Sequence, residues 1–301
     1  MTDLIIDGNS LFARSYFAAA KAGRDPVQFA LRSAVSLLKQ THVLGRVDRA
    51  LICWDGDQPK TEKKRLAEKP ADYVPKLQEF ADQLVAMTNI QQARLIEHEA
   101  DDVVASAAVQ STADTVIIAS GDKDLTQLAC ERISIFDLHH KLVLSERAIC
   151  DRFHVHTPAQ VALALAIQGD TGDGIKGIKG WGPAKVAKLF DAIPAATPLD
   201  QVVDELLKKM TLEQQDQFLL CLEDTLLTTD LPGIPPANPV IIDTELFAKF
   251  EADSGKWSAT PCSKEVTFES KEDAESAKAS LGQNFASIFA CPLCLKWHLQ
   301  A

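Results

Sequence analysis

Nine acidic residues fall in five short settings along the 301-residue chain: Asp7 in DGNS, Asp55 in WDGDQP, Glu99, Asp101 and Asp102 in EADD, Asp122 and Asp124 in SGDKDL, and Asp170 and Asp173 in GDTGDG. Hard divalent cations such as Mg2+ or Mn2+ take oxygen ligands, chiefly carboxylates and retained waters. Two such ions about 4 Å apart stabilise both the attacking and the leaving oxygen of a phosphodiester displacement. A site of that kind needs many carboxylates converging from separate parts of a chain. The EADD and GDKD groups supply them in pairs at the start of a helix. Any one of these acids alone reads equally well as a helix N-cap or a solvated charge. Their recurrence where strands give way to helices is what points to a site.

The elements that must position them are legible as apolar runs. Residues 3–6, 49–54 and 115–119 read as buried strands that stop at Asp7-Gly8-Asn9, Asp55-Gly56-Asp57 and Ser120-Gly121-Asp122. The first of these stops is expected to be a loop. Short strands are expected at 93–96, 133–136 and 142–144, and helices at 27–41, 74–88 and 101–110. From 158 to about 229 the pattern is helical with Gly and Pro breaks, and residues 231–239 (LPGIPPANP) read as a loop or linker. Strands alternating with helices imply an α/β domain with a mostly parallel sheet. Ligands in such sheets bind beyond the carboxyl ends of the strands, where Asp7, Asp55 and Asp122 all fall. The last segment has a pattern of its own, with a strand near 265–269, a helix near 271–281 and a strand near 286–290.

Composition narrows the class. Hydrophobic residues are 46% and charged residues 24%, ordinary for a soluble globular protein of one large domain or one plus an appendage. No apolar run reaches the roughly 18 residues that span a bilayer. The start MTDLIIDGNS lacks the basic and apolar regions of a signal peptide, so a cytoplasmic protein is expected, in the host cytoplasm if the source is a phage. The net charge of −11 argues against nucleic acid only if the acids are spread evenly. Clustered acids repel one another unless cations sit among them.

The succession D-G-N-S, W-D-G, E-A-D-D, S-G-D-K-D-L-x-Q-L and G-D-x-x-D-x-I-x-G-I-x-G-x-G closely resembles the 5′-nuclease family. That family includes the N-terminal domain of bacterial DNA polymerase I, phage 5′–3′ exonucleases and flap endonucleases. The resemblance runs from about residue 3 to about 232. It implies a PIN-like core, a mostly parallel sheet flanked by helices, followed by a helix–three-turn–helix region. It also implies that Asp7, Asp55, Glu99, Asp101, Asp102, Asp122, Asp124, Asp170 and Asp173 form a two-ion metal site, and all nine are present. The implied activity is a 5′–3′ exonuclease or structure-specific 5′-flap endonuclease of DNA replication or repair. It would act as a monomer on DNA with 5′ ends or flaps, or on RNA primer strands. A non-catalytic DNA-structure binder on the same fold is the alternative, and loss of carboxylates would mark it. A small-substrate phosphatase is a second, against which a duplex-gripping loop speaks. No polymerase domain follows the match, so a stand-alone nuclease is expected.

Residues 174–187 carry that loop. Gly177, Gly180 and Gly182 precede a helix, where bare backbone lets N–H groups approach a phosphate. Lys176, Lys179 and Lys185 add charge beside them. A glycine-rich turn between packed helices is the plain alternative. In the family the motif grips the duplex backbone and commonly holds a monovalent ion such as K+ on backbone carbonyls. The basic stretch with Lys60, Lys63, Lys64, Arg65 and Lys69 stands where the family has an arch, here about 58–90, that passes the 5′ single strand; a solvated basic face is the plain reading. Lys69 matches the arch lysine, and Tyr73 stands where the family has an arginine. Arg14 follows the first strand, where the family has a basic residue near the scissile phosphate, and it reads alternatively as a surface arginine.

Of the seven cysteines, Cys53, Cys130, Cys150 and Cys221 lie in apolar or helical stretches and read as buried thiols. Cys291 and Cys294 form a C-x-x-C, with His298 four residues on and Cys262 upstream. Cys3His is a common structural Zn2+ set, and a small tail gains most from such a metal. A redox pair or buried thiols are the other readings. The expected domains are thus a nuclease core over 1–157, a helical DNA-binding region over 158–250 and a small α+β zinc-binding module over 251–301.

Overall fold

The three apolar runs lie side by side at the centre of one sheet in the computed structural model, which describes residues 1–39, 44, 46–57, 69–253, 275, 287–290 and 297–300. Strands β1 (Thr2–Asp7), β2 (Arg49–Trp54), β3 (Gln91–Arg94), β4 (Thr115–Ser120), β5 (Ile133–Asp137) and β6 (Leu142–Leu144) are ordered β3-β2-β1-β4-β5-β6. All neighbours are parallel except β6, which runs antiparallel to β5. Ile5 pairs with Leu51 on one side and Ile118 on the other. Strands covered on both faces need apolar side chains at every position, hence the unbroken runs LII, ALICW and VIIA. The chain moves outward from β1 to β2 and β3, then returns to β4 on β1's other side. That reversal opens a crevice at the carboxyl ends of β1 and β4.

Helices α1 (Gly8–Lys21), α2 (Pro26–Lys39) and α3 (Tyr73–Thr88) pack as a group. Phe12 of α1 stacks on Phe80 of α3 at 5.5 Å between centroids, and Phe80 meets Trp54 of β2 edge-on at 5.9 Å. Alternate strand residues Ile5, Leu51, Cys53, Val116 and Ile118 join Val103 and Val104 of α4 (Ala100–Gln110) in a second core. That core continues without a break near residue 157 into helices α5 (Glu146–Phe153), α6 (Val161–Gln168), α7 (Pro183–Asp191), α8 (Leu199–Leu207) and α9 (Leu212–Thr225), through Phe153, Leu165, Phe190, Val202 and Phe218. The described residues divide into two compact units, 1–241 and 242–301. The second contains α10 (Thr244–Asp253) and an antiparallel pair, β7 (Ser287–Ala290) and β8 (Trp297–Gln300). Among the described residues no helix is long and apolar enough to cross a membrane.

Several expectations change. No loop follows β1: Asp7 itself caps α1, accepting the Ser10 N–H at 2.9 Å, so strand passes directly into helix. Gly8 permits this, because a Cβ there would fall 2.4 Å from the Trp54 ring. Strand β3 ends at Arg94 rather than 96. Leu95 and Ile96 leave the sheet because Gly56 packs against their carbonyls, donating its own N–H to His98 O at 2.8 Å. Residues 231–239 are the loop of the two readings, and a packed one: Asn238 exchanges backbone hydrogen bonds with Ala50 at 2.8 and 3.2 Å, and Leu231 and Ala237 are buried. Cys53 and Cys221 are buried, but Cys130 is exposed, in a turn closed by its backbone bonds to Ile133, and Cys150 is only partly covered. The strand expected at 265–269 and nearly all of the helix at 271–281 lie outside the described residues.

Candidate metal centre

The carboxylates arrive in groups on separate elements, and polar neighbours fix the direction of several. Asp7, at the end of β1, has one oxygen on the Ser10 N–H and the other on the Ser120 hydroxyl at 2.6 Å. Ser120 in turn accepts the Asp122 N–H at 2.9 Å, so β1 and β4 are tied together at their ends. Asp55, beyond β2, accepts hydrogen bonds from the Asn9 amide and from the Ala100 N–H at 2.9 Å, while Asn9 accepts the Asp55 N–H at 3.0 Å. Asp55 thereby caps α4 from another element. Glu99 occupies the N-cap position of α4 with no capping hydrogen bond from its own side chain.

These groups share an open cavity of about 1090 Å3, whose wall includes Asp7, Asp55, Glu99, Asp101, Asp122 and Asp173. Beside it, Asp124, Asp170 and Asp173 present carboxylate oxygens that all lie within 4.8 Å of one another. Lys123 projects between them, paired closely with Asp170 and 3.6 Å from Asp173. Six of the nine expected carboxylates therefore line the cavity, and Asp173 is shared between it and the cluster with Asp124 and Asp170. Asp102 differs: one oxygen accepts the Thr228 N–H at 2.8 Å, tying α4 to the segment after α9, and the residue is not part of the cavity wall.

The charges behave as a crowded anionic site should. Burial, with Asp122 and Asp101 nearby, pushes Asp7 up to about 7 against the opposing pull of its Ser120 and Ser10 hydrogen bonds. Burial and the neighbouring Asp122 likewise push Asp124 up to about 7. Asp170 goes the other way, to about 2: burial would raise it, but its hydrogen bonds with Asp173 and Lys123 outweigh that. Oδ1 of Asp124 is buried without a hydrogen-bond partner among the described residues. A buried acceptor of this kind carries a desolvation cost that a cation removes. The donor set, all hard oxygen, suits Mg2+ or Mn2+. A metal of that class therefore fits the residues present.

Arg14 is half-buried in the cavity wall on α1, where burial lowers its pKa and Asp137 partly restores it. Lys69 lines the same cavity, its ammonium 4.5 Å above the Tyr73 ring. Tyr73 is no surface replacement for an arginine. It is 1% exposed, packed edge-on against Phe12 and Tyr16 at 5.2 and 5.0 Å. Lys60, Lys63, Lys64 and Arg65 lie outside the described residues.

The glycine-rich loop joins α6 to α7 and carries two acids of the cluster. Asp170 and Ile175 exchange two backbone hydrogen bonds at 2.8 Å, making a narrow hairpin with Asp170 at its base and Asp173 in its turn. Lys176 and Lys179, beyond Ile175, are exposed, and Lys185 lies 4.7 Å over Trp181. Gly177 has φ +62°, and a Cβ there would be 2.3 Å from the Gly169 nitrogen, so the hairpin's own closure demands it. Gly180 (φ +80°) and Gly182 face open space, where a ligand's phosphate has room. Cys262, Cys291 and Cys294 lie outside the described residues, and His298 stands on β8 opposite Phe289.

Reading from sequence alone missed several cavity residues. Asn9, Ser10 and Ser120 orient carboxylates through the bonds above, and Lys123, His139 and Arg152 also line the cavity. Asn9, Ser10, Ser120 and Lys123 sit inside the quoted motifs, so proximity was the available signal. His139 and Arg152 had none.

Comparison with known proteins follows the same lines. The profile of the 5′–3′ exonuclease N-terminal resolvase-like domain matches residues 2–154. Over 241 residues the chain is 30% identical to the flap endonuclease Xni of Shewanella baltica, a match covering 76% of this chain and 90% of that protein. It is 28% identical over 254 residues to DNA polymerase I of Bacillus subtilis, covering 76% of this chain but only 28% of the polymerase's length. Among solved structures, the bacteriophage T5 flap endonuclease, in a complex with DNA and metal ions, superposes with a TM-score of 0.56 at 16% identity, covering 84% of this chain and 98% of that one.

Proposed function

Because the chain belongs to the 5′–3′ exonuclease family, we propose that it hydrolyses DNA phosphodiester bonds at 5′ ends and 5′ flaps in a reaction that needs divalent metal. The observation that carries this is the convergence of Asp7, Asp55, Glu99, Asp101, Asp122, Asp124, Asp170 and Asp173 near the sheet's reversal point, with a buried Asp124 oxygen that has no hydrogen-bond partner among the described residues. Asp7, Asp55, Glu99, Asp101 and Asp122 would hold one Mg2+ or Mn2+ ion, and Asp124, Asp170 and Asp173 a second. Such ions supply an activated water at neutral pH and charge stabilisation for the leaving oxygen.

The chain's own groups do the rest. Asn9, Ser10 and Ser120 hold the carboxylates in fixed directions, so little reorganisation is needed when charge develops. Arg14 and Lys69, on the cavity wall, neutralise the scissile phosphate. Lys176, Lys179 and Lys185, with the N–H groups around Gly180 and Gly182, grip duplex phosphates without reading bases. Because Asp170 and Asp173 ride on the same hairpin, gripping the duplex fixes the register between the anchor and the carboxylates. The retained carboxylates favour an enzyme over a DNA-binding relative that has lost catalysis.

Incubation with a 5′-flap substrate and a blunt duplex, with and without Mg2+, tests the reading. Cleavage should require Mg2+, and Asp122→Ala or Asp170→Ala should reduce it by roughly a hundred- to a thousandfold, on the scale of removing one electrostatic stabiliser, while duplex binding persists. Near-normal turnover by either variant at saturating Mg2+ would remove the metal assignment.

A further inference from the structure

Lys123 is the one cation placed inside the acidic triad among the described residues, and neither the hydrolysis nor the DNA grip described above uses it. It stands in sequence between two of the acids, Asp122 and Asp124. Its ammonium contacts Asp170 and lies 3.6 Å from Asp173, amid oxygens of Asp124, Asp170 and Asp173 that fall within 4.8 Å of one another. An ammonium and a divalent ion cannot share so small an oxygen cage, since like charges at contact distance repel strongly in a site partly shielded from water.

Resting on the metal-dependent reading above, we propose that Lys123 is a resident counter-cation, and that a divalent ion enters the Asp124–Asp170–Asp173 triad only by displacing its ammonium. The displaced side chain has somewhere to go. Lys123 lines both the carboxylate cavity and a neighbouring cavity of about 650 Å3 whose wall also includes Arg152 and Lys176. A phosphate lying across that boundary would accept the released ammonium. The lysine therefore does two things in turn. It prevents mutual repulsion of the acids in the metal-free protein, and it lowers affinity for the second ion until a phosphate is present to receive it. The free energy of its contacts with Asp170 and Asp173 is subtracted from that of metal binding, as any competing ligand's would be.

Lys123→Met keeps the length and removes the charge. By calorimetric or spin-resonance titration with Mn2+ alone, it should bind the ion at the triad about tenfold more tightly than the wild type, and be less heat-stable without metal. Adding Asp124→Asn to Lys123→Met should abolish the tightened class and so assign it. A second measurement uses the unmodified protein, in case the variant fails to fold: the 15N signal of the Lys123 ammonium should shift on Mg2+ titration and report release from its carboxylates. Unchanged or weaker Mn2+ binding by Lys123→Met, or tightening that survives Asp124→Asn, would overturn the inference, as would a Lys123 signal indifferent to bound Mg2+. Failure of the inference alone leaves Mg2+-dependent flap cleavage intact, whereas failure of the functional reading abolishes metal binding and cleavage together.

Discussion

Asp7 and Asp124 are the residues whose protons report on the centre. Both ordinarily titrate at 3.8, and in the metal-free fold both are held near 7, mainly by burial and neighbouring acids. The folded protein thus keeps protons that the unfolded chain has released. Their contribution is complete below about pH 4 and is lost as pH rises toward 7. Asp170, held near 2, acts oppositely but only at the acid end, so it does not offset them in this window. In EDTA, the melting temperature should therefore fall between pH 5 and 8, by roughly 5–10 °C at a few degrees per kcal/mol. Mg2+ should restore it at pH 8 and should release protons on binding at pH 6. Asp7→Asn should flatten the metal-free profile. A melting temperature that rises steadily through this interval in EDTA would contradict the assignment.

At the scale of elements, the α6–α7 hairpin joins two roles that sequence lists as separate motifs. It carries Asp170 and Asp173 of the proposed metal centre, and Lys176 just beyond them is exposed. Replacing both Lys176 and Lys179 with Ala should weaken binding of all duplex sequences alike and lower the salt dependence by about one to two ions. Loss confined to certain sequences, or an unaltered salt slope, would argue against phosphate contact. The glycines of this loop should differ sharply. Gly177→Ala meets a left-handed backbone and a 2.3 Å clash with Gly169, and should cost about 2 kcal/mol or more as well as displacing Asp170. Gly180→Ala meets only the backbone penalty and should cost about 1 kcal/mol. Equal melting temperatures for the two variants would show that the hairpin relaxes more freely than its packing indicates.

At the scale of the whole molecule, the division near residue 241 assigns the metal centre and the hairpin to one compact unit. The proposal for the other unit is that Cys262, Cys291, Cys294 and His298 hold one structural Zn2+. A closed four-ligand site of this kind has no open position for chemistry. A chain ending at residue 241 should keep Mg2+-dependent flap cleavage within a few-fold. Elemental analysis of the full chain should find one equivalent of zinc, lost with the tail. A full chain without zinc, or with two of these cysteines joined as a disulfide, would remove the proposal.

Sequence by itself determined the strands and their acidic ends. Unbroken apolar runs such as ALICW can be satisfied only between two covered faces, and the polar residues that end them must emerge at the sheet's edge. Asp7, Asp55 and Asp122 were legible for that reason. The helices after residue 158 and the glycines of the hairpin were legible too, because periodicity and positive-φ demands are local. Tertiary structure alone decided which acids meet. Asp102 carries the same motif context as Asp101, yet its neighbour in space is Thr228, 126 residues away, so it ties α4 to the segment after α9. Tyr73 follows a basic stretch but is buried by Phe12 and Tyr16, which only the packing of α1 against α3 brings near it. Lys123 reads as an ordinary charge between two acids until the hairpin folds Asp170 and Asp173 onto it. The physical reason is common to all three: local pattern fixes an element and its buried face, whereas a charge's partner is set by whichever distant element the packing delivers.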